Sequence, residues 1–165
     1  MNKKYKILLM VVVAICFVAT FLFLRNAKTE NVTMDSLDQL IYSYQNTYVG
    51  DNSSVGGILY LLPLSDNVAS FSLQTKSEPY AITVQYKGID NVDESEVTQS
   101  IAYNATTIFA LVTNSDEVIF ETDEGLEIVR YRRAEIQNTY DEDLSRYITD
   151  RGVWTKKVMT PLFDK

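Results

Sequence analysis

The sequence predicts an α+β domain: an antiparallel sheet of about four strands in two hairpins with helices packed on one face, preceded by one transmembrane helix. Three observations predict this fold class. An uncharged apolar run occupies residues 7–24. Four short segments further along alternate apolar and polar side chains, which is typical of half-buried strands. Apolar residues at helical spacing precede, separate and follow the two strand pairs.

The apolar run predicts an uncleaved signal anchor. Thirteen of its 18 residues are Leu, Ile, Val or Phe, and a helix of that length would be roughly 27 Å long, close to the ~30 Å hydrocarbon core. A cleaved signal peptide has a shorter apolar region and small residues at the cut site, whereas Arg25 follows this one. Lipidation of Cys16 would require a small residue before it, and Ile15 stands there.

Basic residues predict the orientation of the chain. Lys3, Lys4 and Lys6 precede the span, and lysines near a span favour the cytoplasmic side. We therefore expect a cytoplasmic tail over residues 1–6, the span over 7–24, a polar stalk over 25–33 and an extracytoplasmic domain over 34–165. The expected location is the cell membrane, with a single pass and the C-terminal domain outside.

Composition excludes several classes of function. The 165 residues include no His and one Cys, which excludes His-based triads, zinc sites with His ligands and internal disulfides. Residues 26–165 carry 22 acidic and 11 basic side chains, a net charge of −11, which argues against nucleic acid as a partner. We expect no cofactor and no metal.

Two helices are predicted before the first strand. Apolar and aromatic residues recur at helical spacing from Leu37 to Tyr48, and Gly50 should end that helix. The polar residues at 51–53 offer a new N-cap, and the apolar face of a second helix extends to Leu62, where Pro63 follows.

Strands and further helices follow in order. Alternation predicts strands over 69–74 and 80–86 joined by a loop at 76–79, and over 117–121 and 126–131 joined by a turn at 123–125. A long helix is predicted over 93–112. From Ala134 the chain is predicted to be helical, in one or two pieces broken near Gly152. Leu144, Tyr147 and Ile148 form an apolar stripe there, and we expect Trp154 to pack on the body of the domain.

The corner between the first two helices is the first candidate site. Its residues of interest are Tyr44, Tyr48, Gly50, Asp51 and Asn52. One interpretation is a backbone cradle for an anion at a helix start, although Asp51 would itself occupy that position. The other is a capped corner between two helices, with the tyrosines in the core or at its rim.

The second candidate site is a basic cluster in an otherwise acidic domain, formed by Arg130, Arg132 and Arg133. Alternation along a strand places Arg130 and Arg132 on the same side. These arginines could bind a carboxylate or phosphate of a partner. Alternatively, they neutralise the domain's own carboxylates.

Acidic clusters offer a third kind of site. The groups at 90–96 and 141–143 could bind calcium, but neither has the order of an EF-hand loop, and acids at helix starts explain both. Paired carboxylates could also cleave glycosides without His. Their separation in space cannot be read from sequence, so a small His-free envelope hydrolase remains the alternative to a non-enzymatic module.

Three stretches resemble a known family. They are residues 46–55 (NTYVGDNSSV), 61–63 (LLP) and 73–80 (LQTKSEPY). Together they resemble the bacterial domain-of-unknown-function family DUF4825, over roughly residues 35–133. The resemblance implies an uncharacterised, membrane-anchored extracytoplasmic domain of Gram-positive bacteria, sometimes fused to membrane zinc-peptidase sensors. The H-E-x-x-H motif of those sensors is absent from this chain, so peptidase activity is not implied.

These observations predict a non-enzymatic binding, accessory or sensor module at the cell envelope. Its expected partner is another envelope or membrane protein, and residues 7–24 provide its contact with the membrane. A purely structural subunit whose span pairs with other helices is a further possibility.

Overall fold

The computed structural model describes residues 38–40 and 43–163, all within one compact unit, Val32–Lys165. The predicted tail, span and stalk, at 1–6, 7–24 and 25–33, lie outside the described residues. Within the described ranges, no helix has the length and apolar character needed to cross a bilayer.

The domain is α+β, with a four-stranded sheet and helices. The helices are α1 (Asn52–Leu61), α2 (Glu94–Leu111), α3 (Arg133–Gln137), α4 (Leu144–Ile148), α5 (Arg151–Trp154) and α6 (Thr160–Phe163). The strands are β1 (Val68–Gln74), β2 (Ala81–Tyr86), β3 (Glu117–Thr122) and β4 (Glu127–Arg132). A π-helical turn, Thr155–Met159, joins α5 to α6. Residues 38–40 and 43–44 are also helical.

The prediction of a purely antiparallel sheet is wrong. The strand order is β1-β2-β3-β4, and both outer pairs are antiparallel hairpins, but β2 and β3 run parallel. The 18-residue helix α2 lies between β2 and β3 in the sequence. It returns the chain to the starting end of the sheet, as parallel neighbours require.

One face of the sheet forms the core. Its side chains alternate with polar ones, as predicted, and Ile82, Val84, Val118 and Phe120 are completely buried. They belong to one apolar cluster with residues of α1, α2 and α4. The opposite face, which we call the open face, bears Ser72, Gln85, Glu117, Glu121 and the β4 residues Arg130 and Arg132.

The C-terminal region confirms two predictions, the packing of Trp154 and a break in the helical tail near Gly152. Trp154 is fully buried and donates through Nε1 to the Tyr103 hydroxyl at 3.4 Å, so it does pack on the body. The helical tail is also broken near Gly152, as predicted, although Gly152 itself lies inside α5. The interruptions fall at residues 138–143 and at 149–150, where the Asp143 and Asp150 side chains cap α4 and α5.

Candidate functional site

Asp51 serves as the N-cap of α1. Its carboxylate accepts from the Ser54 amide at 3.0 Å and from the Ser54 hydroxyl at 2.7 Å, and these bonds lower the pKa of Asp51. The side chain therefore occupies the position that an anion would take at a helix start. The geometry favours the capped corner over the anion cradle.

The two tyrosines of the corner have opposite environments. Tyr44 is half-buried beside Gly57, so close that a Cβ built at Gly57 would lie 2.1 Å from the Tyr44 hydroxyl. Tyr48 exposes 62% of its surface. Tyr48 was predicted on the apolar stripe of the preceding helix, and this is wrong: a turn at residues 45–46 ends that helix first, and Asn46 has φ +62°.

Hydrogen bonds fix the corner to the end of α2. The Thr47 amide donates to the Leu111 carbonyl at 3.0 Å, and the Thr47 carbonyl accepts from the Thr113 amide at 2.9 Å. The Val49 amide donates to Asn114 Oδ1 at 2.8 Å. Thr47 and Val49 are buried on either side of exposed Tyr48. The backbone that carries the Tyr48 ring is therefore held from both sides.

Arg130 and Arg132 share the open face, as alternation predicted, and both contact Glu117. Arg130 Nη1 lies 2.6 Å from Glu117 Oε2, and Arg132 Nε lies 3.3 Å from Glu117 Oε1. Arg130 also binds Glu127 at 2.7 Å, and Arg132 binds Glu135 at 3.1 Å. The bonds to Glu127 and Glu117 raise the pKa of Arg130. The geometry therefore favours neutralisation of the domain's own carboxylates.

Arg133 does not join the other two arginines. β4 ends at Arg132, and the start of α3 turns the Arg133 side chain towards the end of α2. There it donates to the carbonyls of Phe109 at 2.8 Å, Ser115 at 2.7 Å and Val112. Burial lowers the pKa of the Arg133 guanidinium. The predicted cluster of three is therefore an exposed pair and a separate structural arginine.

The turn at residues 112–115 connects the two candidate regions. Thr47 and Val49 bond to it from the corner, and Arg133 bonds to it from the end of β4. Sequence reasoning missed this turn, although Thr113, Asn114 and Ser115 follow a long helix and offer typical turn chemistry.

The acidic groups cap helices. Asp93 accepts from the Ser95 and Glu96 amides, and Asp143 accepts from the Ser145 amide, and these bonds lower the pKa of both carboxyl groups. Among the described residues, no three acidic or Cys side chains converge as a metal site would require.

A family comparison agrees with the resemblance seen in the sequence. The model of the domain of unknown function DUF4825 matches residues 41–136. The chain belongs to this family. The DUF4825 match covers the corner, the whole sheet and all three arginines of the second candidate site. Searches of curated proteins and of solved structures found no match.

Proposed function

We propose that this DUF4825 domain is a non-enzymatic binding module, tethered outside the cell membrane by a single span, that recognises another envelope protein. The span proposal rests on the uncharged run at 7–24 and on the lysines before it. The binding proposal rests on the surface of the domain.

The exposure of Tyr48 on a fixed backbone carries the binding proposal. A large aromatic ring with two rotatable bonds loses little conformational entropy on binding, and tyrosine is enriched among the residues that dominate protein interfaces. Its neighbours Thr47 and Val49 are buried and hydrogen-bonded, so the ring is presented without loop ordering on association.

The Arg130–Arg132 pair is the second surface that we assign to binding. Arg132 exposes 58% of its side chain and its partner Glu135 exposes 60%. Exposed ion pairs contribute little to stability, about 0.2–1 kcal/mol, so a partner carboxylate can replace Glu135 at small cost. Arg132 therefore provides polar specificity, whereas Tyr48 provides apolar contact area.

The state of the carboxylates favours a binding module over the alternative, a small His-free hydrolase. A general acid in a glycosidase needs a raised pKa. Asp51, Asp93 and Asp143 instead have lowered pKa values because each caps a helix. Glu117, the least exposed carboxylate of the open-face ion pairs, is bound to two arginines.

Photo-cross-linking in the native membrane tests the binding proposal. A benzophenone amino acid replaces Tyr48 in the full chain, and Tyr60 provides a matched control because it is 80% exposed on α1. We expect a discrete protein adduct from position 48 and none from position 60. Equal labelling from both positions, or none from 48, contradicts the assigned surface.

Alanine variants test the contribution of each surface. Tyr48→Ala should reduce capture of the partner more than tenfold, as expected for an interface residue worth about 2 kcal/mol. Arg132→Ala should reduce it less, and Arg146→Ala, which removes another exposed ion pair with Glu142, should leave it unchanged. If Tyr48→Ala and Arg132→Ala together leave capture intact, both assigned surfaces are wrong.

Protease treatment of intact cells tests the tether independently. Protease should remove the C-terminal domain, and Edman sequencing of the purified native protein should begin before residue 7. A native protein that begins after Leu24 contradicts the anchor, whether or not Tyr48 binds a partner.

A further inference from the structure

β1 is an edge strand with unused hydrogen-bonding groups. Among the described residues, only β2 pairs with it. The carbonyl of Tyr80, directly before β2, accepts from the Asp116 and Glu117 amides at the start of β3, and the carbonyl of Tyr86, the last residue of β2, accepts from the Asp123 amide directly after β3. The backbone groups of successive residues in a strand point alternately to the two neighbouring strands. Because residues 80 and 86 bond to β3, residues 81, 83 and 85 bond to β1.

The register then identifies the free groups of β1. Residues 81, 83 and 85 pair with Gln74, Ser72 and Ser70. The intervening residues Phe71 and Leu73 consequently direct their amides and carbonyls away from β2, towards the outer edge. These groups can bond to a further strand.

The two edges of the sheet differ in their protection. β4 carries Glu127, Arg130 and Arg132 among its six residues, and charges on an edge strand discourage pairing with another chain. β1 has seven residues, VASFSLQ, without a charge or a proline. Its single irregularity, between Val68 and Ser70, protects only the start of the strand.

We propose that β1 pairs antiparallel with β1 of a second copy of this chain, forming a continuous sheet across a two-fold axis. The opposite charges that flank β1, Asp66 before it and Lys76 after it, favour a second copy as the occupant. The net charge of −11 over residues 26–165 opposes close approach of two domains, and the uncharged β1 reduces this repulsion at the contact. Asp66 precedes β1 and Lys76 follows it, so antiparallel pairing brings each Lys76 towards the Asp66 of the other copy.

A two-fold axis at Ser72 allows all the free amides and carbonyls of Phe71 and Leu73 to form hydrogen bonds. Ser72 then lies opposite Ser72 of the second copy, and Phe71 of each copy exchanges backbone hydrogen bonds with Leu73 of the other, about four in total. The serine lies on the open face, and the apolar Phe71 and Leu73 rows join on the core face. The contact is isologous, as two-fold symmetry requires.

Disulfide trapping tests the geometry in the full chain in detergent micelles or lipid nanodiscs. Ser72→Cys is introduced together with Cys16→Ser, so that position 72 carries the only thiol. Two residues directly opposite each other in a non-hydrogen-bonded antiparallel pair are about 4.5 Å apart at Cα, within the range for a disulfide. We expect oxidation to give covalent dimers. Ser53→Cys, exposed on α1, is the matched control and should not.

A charge placed at the same position tests the affinity. Ser72→Lys sets two like charges opposite each other and should weaken dimerisation about tenfold in sedimentation equilibrium, whereas Ser53→Lys should not change it. Circular dichroism of each variant establishes that the domain is folded. A monomeric wild-type chain, a dimer that Ser72→Lys leaves intact, or a failure of Ser72→Cys to cross-link overturns the proposal. None of these results depends on whether Tyr48 binds a partner.

Discussion

The guanidinium carbon of Arg133 lies 5.1 Å from the centroid of the Phe109 ring, and the same guanidinium donates to the Phe109 carbonyl at 2.8 Å. The last carbonyls of a helix have no partners within the helix, and a cation beside them interacts favourably with the helix dipole. Arg133 therefore caps the C-terminal end of α2, although it lies 24 positions after Phe109 in the chain.

Arg133→Ala should destabilise the domain by about 3 kcal/mol, because three carbonyls lose their charged donor and the contact with Phe109 is lost. Arg133→Lys should recover less than half of this loss, since an ammonium group cannot reproduce the planar fork. Urea unfolding, monitored by the fluorescence of Trp154, measures the loss of unfolding free energy in both variants. Trp154 is the single tryptophan and is fully buried. Exposed Arg146→Ala is the control, and an equal loss there would contradict the structural role.

Gly57→Ala should destabilise the domain, whereas Gly56→Ala should be neutral or stabilising. The added Cβ at Gly57 would lie 2.5 Å from Cζ of Tyr44, but the one at Gly56 would meet the Phe71 ring at 3.4 Å, an ordinary contact. Both changes gain about 1 kcal/mol of helix propensity. Thermal unfolding of Gly57→Ala, of Tyr44→Ala and of the double variant gives the coupling free energy between the two positions. If Tyr44→Ala does not reduce the cost of Gly57→Ala, the clash is not its cause.

The capped helices should make stability depend on acidity. Asp51, Asp93 and Asp143 have folded-state pKa values below 3.8, so the stability they contribute is complete above pH 3.8 and is lost as the pH falls through their folded-state values. Asparagine also caps helices but does not titrate. Replacing all three by Asn should therefore reduce the change in unfolding free energy between pH 5 and pH 3. Glu124→Gln, in the exposed β3–β4 turn, provides the comparison; a similar reduction there would argue against the caps.

A buried tyrosine should cause the opposite dependence at alkaline pH. Burial raises the pKa of Tyr86 from 10.0 to about 12, so its contribution is complete below pH 10.0 and is lost as the pH rises through about 12. Tyr86→Phe should lessen the loss of unfolding free energy over this interval, and Tyr60→Phe, at an exposed position, should not. An unchanged alkaline slope in Tyr86→Phe would show that the Tyr86 hydroxyl is not the group responsible.

Much of the fold follows from local patterns in the sequence. Alternation identifies all four strands, and Gly125, with φ +82°, forms the predicted turn between β3 and β4. The parallel direction of β2 and β3 was missed because alternation specifies which face a residue occupies and not the direction of the neighbouring strand. The length of α2 was the available signal, since a long helix between two strands is typical of a crossover connection.

The candidate sites, too, could be predicted only where they depend on local sequence patterns. The shared side of Arg130 and Arg132 follows from the period of a strand. The separation of Arg133 could not be predicted, because it depends on the residue at which β4 ends, and element boundaries are the least determined part of a sequence pattern. Likewise, the exposure of Tyr48 depends on bonds to Leu111, Thr113 and Asn114, which lie more than 60 residues away in the chain.

The turn at residues 112–115 is held by Thr47 and Val49 on one side and by Arg133 on the other. Local opening on either side is therefore opposed by the hydrogen bonds on the other side. We expect this turn to hold the first and last thirds of the DUF4825 region together. In hydrogen–deuterium exchange, the amides of Thr47 and Thr113 should exchange only when the whole domain opens, although both residues belong to loops. The proposed contact surface at Tyr48 would then share the stability of the whole domain, because its neighbours Thr47 and Val49 are bonded to this turn.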